Sequence, residues 1–205
     1  MRSTAFIALS IPLETKEKIA TLIEQLRRKN YPCVWTDPQQ THITLMFLGR
    51  ISQERVNDAI KAIAKTAEGF VPFELKTDSI NYFQREKRTG YQTLFIDVLD
   101  PERKLRELYK SLFENIADEE FFPPERLHPH ITIGRLKKLK SKQEAQSTFS
   151  RIIAEDQEIY SSFVVDSINI YESIYQEPSG VTNINQSKTR YRLIRSIPLG
   201  KNREI

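Results

Sequence analysis

The chain has one cysteine, Cys33, among 205 residues, so it cannot close an internal disulfide. A reducing, cytoplasmic setting is the expectation, with Cys33 as a passive, half-buried side chain. Six glycines and ten prolines are scattered along the chain, which gives no compositional case for a disordered tail or a long linker. No apolar run reaches the roughly 18 residues of a membrane span. The N-terminal stretch "TAFIAL" (4–9) is short, and Ser10, Pro12 and a charged helical pattern follow it, so it reads as a first strand rather than a signal peptide. The charge of +4 and pI near 9.1 are a mild basic bias, compatible with phosphate-bearing ligands. Histidine is scarcer still. There are three, and all lie in two similar stretches, "THITLMFLGR" (Thr41–Arg50) and "LHPHITIGRL" (Leu127–Leu136).

Between these stretches the apolar spacing alternates between two periods. Ile19, Leu22, Ile23 and Leu26 recur at helical spacing, as do Val56, Ala59, Ile60 and Ile63 after a candidate N-cap, Ser52. Leu105, Leu108, Leu112 and Ile116 form a third stripe, with Asp100-Pro101 as its expected start. A capping box at Ser141–Glu144 precedes a fourth, carried by Phe149, Ile152 and Ile153. Strands are expected at 4–9, 42–48, 71–83, 91–99, 130–134, 158–172 and 188–198.

Each half of the chain therefore reads strand, helix, strand, helix, strand. The offsets agree: His130 follows His42 by 88 positions, Ser141 follows Ser52 by 89, and Phe163 follows Phe73 by 90. The expected fold is α+β and duplicated. Two pseudo-symmetric lobes would each carry an antiparallel sheet with two helices on its outer face, in one domain spanning 1–205, with a cleft between the lobes.

Residues two apart in a strand share a face. His42 and Thr44 then point one way and Ile43 and Leu45 the other, and His130 and Thr132 stand apart from Ile131 and Ile133 in the same manner. The apolar partners suit a core and the polar pairs suit the cleft. Two imidazoles on opposite sides of a phosphate match in-line displacement at phosphorus, one taking a proton from the nucleophile and the other giving one to the leaving oxygen. A zinc site built from His42, His128 and His130 is the competing reading, but it lacks a recognised ligand spacing and leaves both threonines unexplained. By alternation Phe47 belongs to the core. Trp35, in a proline-flanked link, reads as a packing anchor ahead of a base-stacking residue. Arg85, Lys87, Arg88, Lys137, Lys138 and Lys140 are candidates for steering an RNA end.

Two His-x-Thr-apolar motifs on a duplicated frame resemble the two-histidine phosphoesterase superfamily. The likeness is strongest to the LigT-like RNA 2',3'-cyclic phosphodiesterases, once called 2'-5' RNA ligases. It extends to Trp35, "HITLMFLG", "PFEL" (Pro72–Leu75) and "FPPERLHPHITIGR". The resemblance implies that His42 and His130 are catalytic and that Thr44, Thr132 and Arg135 bind phosphate. It implies opening of a 2',3'-cyclic phosphate on an RNA end or nucleotide to a 2'-phosphate, with no metal or cofactor. A monomer with no membrane association is expected. Alternation from His130 points Arg135 out of the cleft, and Gly134 is the residue expected to re-aim it. Glu172 stands where relatives commonly have Arg, and His128 has no counterpart role in the pattern. Cleavage or joining of 2'-5' linkages, and a non-catalytic RNA-binding module, are the alternative readings.

Overall fold

The computed structural model describes residues 3–83, 92–116, 127–136, 142–154, 159–175 and 189–200. Its strands are β1 (Ser3–Ser10), β2 (Cys33–Trp35), β3 (His42–Ile51), β4 (Phe73–Tyr82), β5 (Gln92–Leu99), β6 (His130–Leu136), β7 (Ser162–Val165), β8 (Ser167–Tyr175) and β9 (Thr189–Pro198). The helices are α1 (Leu13–Arg28), α2 (Gln53–Ala67), α3 (Lys104–Ile116) and α4 (Lys142–Ala154). Arg85, Lys87, Arg88, Lys137, Lys138 and Lys140 lie outside the described residues, as do Ser141 of the expected capping box and the segment 176–188. No helix among the described residues is long and apolar enough to cross a membrane.

The helical stripes are where the periodicity puts them. Ile19, Leu22, Ile23 and Leu26 of α1 are buried, as are Val56, Ala59 and Ile63 of α2 and Leu105, Leu108, Leu112 and Ile116 of α3. Each such side chain contributes about 1.5–3 kcal/mol on burial, which is what fixes the helices to the sheet. Ser52 caps α2 by accepting the Arg55 N–H at 3.3 Å, and α1 ends where Asn30 takes a left-handed φ of 56°. Two details differ from the sequence reading. Ile153 is 38% exposed, off the buried stripe of Phe149 and Ile152. Helix α3 begins at Lys104 rather than Pro101. Asp100 still caps it, its carboxylate accepting the N–H groups of Leu105 and Arg106 at 3.2 and 3.0 Å, across a turn that Arg103 completes at φ 60°.

All the strands join one curled antiparallel sheet, in the order β7-β4-β5-β6-β3-β1-β8-β9, with β2 added to the end of β6. The α+β, duplicated arrangement with a cleft is as the sequence indicates. The repeat does not reveal an exchange of strands. Strand β4, the last of the first half, pairs with β5 of the second half, and β8 of the second half pairs with β1 of the first. Strands β7 and β8 lie near opposite ends of the sheet order but are separated in sequence by Asp166 alone. One residue spans only a few ångströms, so the sheet has to curl until its ends meet. Helix α2 lies against β8 and β9 and packs on α3, while α4 lies against β4 and α1 against β2. The two motif strands, β3 and β6, pair at one position, Ile43 opposite Ile131.

Candidate active site

That single contact is the middle of both His-Ile-Thr phrases. Ile43 and Ile131 are fully buried on the core face, so His42, Thr44, His130 and Thr132 emerge together on the other. All four line one cavity of about 450 Å³. Each motif strand supplies one His and one Thr, as expected of a site between two related units.

The two rings are held alike. His42 Nδ1 lies 2.8 Å from the carbonyl of Gln40, and His130 Nδ1 lies 2.7 Å from the carbonyl of His128. A carbonyl can only accept, so Nδ1 of each neutral ring carries the hydrogen and Nε2 keeps the free electron pair. Aromatic rings support both. Phe6 of β1 sits 4.9 Å from the His42 ring and Phe95 of β5 sits 5.2 Å from the His130 ring, 89 positions apart in the repeat. Tyr191 meets His42 edge-on at 5.0 Å, and Phe83 meets His130 edge-on at 4.9 Å. These apolar walls strip water from the imidazoles and so disfavour their charged forms. Burial pushes His42 from 6.5 down to about 4, opposed by the Gln40 carbonyl and reinforced by the positive charges of His130, Lys16 and Arg135. Burial also lowers His130, with the His128 carbonyl and the Asp97 carboxylate opposing and the His128 charge reinforcing.

Both motif strands bulge at the same place. Strand β3 shifts register against β1 where Leu45 is extra, and β6 shifts against β5 where Ile133 is extra. An extra residue reverses the face of everything after it. Arg135 thereby reaches the cavity, and so does Phe47, which is 88 positions earlier. Phe47 is 75% exposed, which corrects its expected place in the core. Gly134 has a different task from the one expected of it. A Cβ there would stand 2.5 Å from Cys33 Sγ and 3.1 Å from Trp35, so glycine is needed for β2 to close on β6. Trp35 is buried, as an anchor is.

The remaining singled-out residues face elsewhere. The His128 ring turns away from the cavity to Asp97 Oδ1, 2.7 Å from its Nε2. Among the described residues no three His, Cys, Asp or Glu side chains are grouped to hold a metal ion. Glu172 is paired with Arg192 on the neighbouring strand. The cavity wall also contains residues the sequence reading passed over: Gln40, Thr36, Phe83, Thr93, Tyr191 and Arg190. Repeat register alone gave a signal for two of the missed positions around the rings, since Gln40 and Phe6 match His128 and Phe95.

A curled antiparallel sheet presenting two His-x-Thr strands to one cleft defines a two-histidine phosphoesterase type of site. The model of the 2'-5' RNA ligase superfamily matches residues 15–174, and the chain belongs to that family. An RNA 2',3'-cyclic phosphodiesterase of Thermotoga maritima is 28% identical over 176 residues, covering 83% of this chain and 92% of that protein. A protein of the same name from Methanocaldococcus jannaschii is 27% identical over 82% of this chain and 90% of its own length. Among solved structures, E. coli LigT complexed with 3'-AMP superposes with a TM-score of 0.63 at 22% identity, over 97% of this chain and 99% of that one. The Thermus thermophilus protein TT0787 gives 0.67 at 20% identity, over 97% and 98%.

Proposed function

We propose that the chain hydrolyses 2',3'-cyclic phosphate ends of RNA or nucleotides to 2'-phosphates, using two histidines and no metal. One observation carries this reading: two imidazoles, each fixed through Nδ1 and each beside a threonine, line a single cavity large enough for a nucleotide. Curated relatives that match over most of their length are cyclic phosphodiesterases.

In the proposed reaction a water oxygen attacks phosphorus while His42 Nε2 takes the water proton. The bond from phosphorus to the 3'-oxygen breaks, and that oxygen takes the proton from His130 Nε2. A 2'-phosphomonoester is left, and the two rings return to their starting states by exchange with solvent. Thr44, Thr132 and Arg135 hold the non-bridging oxygens, where charge accumulates. His42 is assigned the base because burial and three positive neighbours keep it neutral; burial lowers His130 too, but the Asp97 carboxylate opposes that loss and leaves His130 the more readily protonated of the two. Each proton transfer contributes on the order of 10²–10⁴ in rate.

The test is turnover of a nucleoside 2',3'-cyclic phosphate in EDTA, with the product identified by phosphorus NMR. His42→Ala and His130→Ala should each nearly abolish it, and full activity in either variant refutes the mechanism. A nitrophenyl phosphodiester, whose leaving group needs no proton, should be spared by His130→Ala and not by His42→Ala. The opposite pattern reverses the assignment. The family's description also names 2'-5' RNA ligation, so a 2'-5' linked dinucleotide belongs in the same assay.

A further inference from the structure

His128 is the histidine that the motif does not explain, and it stands 88 positions after Gln40 just as His130 stands 88 after His42. The two residues do the same two things. Each offers its carbonyl to the Nδ1 of the imidazole two places ahead, at 2.8 Å from Gln40 and 2.7 Å from His128. Each is also tied by its side chain to another strand. Gln40 Oε1 accepts the Tyr191 N–H of β9 at 2.6 Å. His128 Nε2 lies 2.7 Å from Asp97 Oδ1 of β5, and the second oxygen of Asp97 accepts from Asn81 of β4 at 3.2 Å. We propose that Gln40 and His128 are equivalent positioning residues, each a clamp that sets the ring orientation of the catalytic imidazole two residues ahead.

A carbonyl two residues back fixes the ring only while its own orientation is held. Residues 40 and 128 lead into their strands from outside the ladders, and Gln40 closes a tight turn in which its N–H donates to the Asp37 carbonyl at 2.8 Å. Pro129 gives the second lead-in one main-chain anchor, its carbonyl accepting the Val98 N–H at 3.1 Å. The proline ring also fixes its own φ, so the His128 carbonyl can tilt only through ψ of His128, and the Asp97 contact holds the side chain of that residue. A tilt of that peptide moves the acceptor off Nδ1 and displaces Nε2 from the line of attack. The His128 ring is half exposed, so its contribution is to geometry rather than to the core. The charged and titratable groups around His130 are His128 itself, Asp97 from β5, His42 from β3 and Arg135 further along its own strand, with Lys16 of α1 beyond His42.

The clamp rests on the proposed two-histidine reaction for its kinetic readout, and the test separates the two. His128→Ala should lower kcat on a cyclic nucleotide by about 10- to 100-fold with KM little changed, because misplacement by a fraction of an ångström costs rate rather than binding. His128→Gln places the first half's clamp residue in the second half and keeps an N–H for Asp97. It should restore most of kcat while both variants move the His130 limb of the pH profile upward, since each removes a positive neighbour. Asp97→Ala should lower kcat much as His128→Ala does but move the His130 limb downward, since it removes the carboxylate that favours the proton, and the double variant should be no slower than either single one. Equal kcat in His128→Ala, equal losses in the Ala and Gln variants, or additive losses in the double variant each overturn the clamp. Nitrogen-15 NMR of the imidazoles needs no turnover: His130 should be the Nδ1–H tautomer in the unaltered protein and a mixture in His128→Ala. A wild-type His130 in the Nε2–H form overturns the proposal even if the variants fail to fold. An inactive wild-type enzyme with the Nδ1–H tautomer and its loss in His128→Ala instead refutes the cyclic phosphodiesterase reading and leaves the clamp standing.

Discussion

The depressed proton affinity of His42 has a consequence that stability measurements read directly. In the unfolded chain the imidazole takes its proton below about pH 6.5, while in the folded protein burial delays that to about 4. The folded state therefore binds fewer protons between these values. The stability His42 contributes is complete above the unfolded pKa, is lost as pH falls through the window, and changes no further below about 4. Each pKa unit corresponds to about 1.4 kcal/mol, so lowering the pH from about 7 to about 4.5 should remove about 2–3 kcal/mol through this one residue. Replacing His42 by Asn removes the titration while keeping a polar side chain in the same wall. Urea unfolding of wild type and His42→Asn at the two pH values gives the difference of differences, in which contributions common to both proteins cancel. The wild type should lose about 2–3 kcal/mol more than the variant. An equal loss in both would show that the ring is as easily charged in the cleft as in water, and the base assignment would fall with it.

Gly134→Ala should destabilise the protein by about 1–3 kcal/mol, since its Cβ would stand 2.5 Å from Cys33 Sγ, and adding Cys33→Ala should recover part of the loss in a thermal melt. An unchanged melting temperature would mean that β2 yields freely. Phe47→Ala should leave stability within about 0.5 kcal/mol and raise KM for a cyclic nucleotide, because the exposed ring offers a stacking face worth about 1–3 kcal/mol to a base. An unchanged KM would place the base elsewhere. Arg135→Ala should reduce kcat/KM by about 1.5–3 kcal/mol of lost charge-assisted hydrogen bonding, with Arg135→Lys only partly restoring it for want of the planar fork. Equal activity in all three proteins would remove Arg135 from the phosphate.

Legibility in the sequence followed the regularity of the backbone. His42, Thr44, His130 and Thr132 were readable because they lie in straight stretches of strand, where period two holds. Period two breaks one step later, at Leu45 and Ile133, because a bulge is a property of the pairing with β1 and β5 and leaves no period of its own. Alternation therefore puts Phe47 in the core, and Arg135 enters the cleft only by resemblance. Gln40 and Asp97 carried no motif at all. Their part comes from what lies beside them, the Tyr191 N–H in one case and the His128 ring in the other. Pro101 looked like a helix start because Asp-Pro is one by local preference, yet the turn through Arg103 delays the helix to Lys104 while Asp100 keeps its capping role.

The sequence by itself determined the chemistry on offer: two His-x-Thr phrases at matching places in a repeat, and helices and strands whose apolar stripes say which side is inside. Burial of those stripes is a local demand, and local periodicity suffices to express it. The tertiary structure decided the rest. It brought the phrases face to face through one strand contact at Ile43 and Ile131, exchanged β4 and β8 between the halves, and bulged both motif strands so that Phe47 and Arg135 enter the cleft. It also surrounded the two rings unequally, with the Asp97 carboxylate acting on one and the positive charges of His130, Lys16 and Arg135 on the other. Pairing, curl and desolvation depend on residues far apart in the chain, and no stretch of sequence contains them.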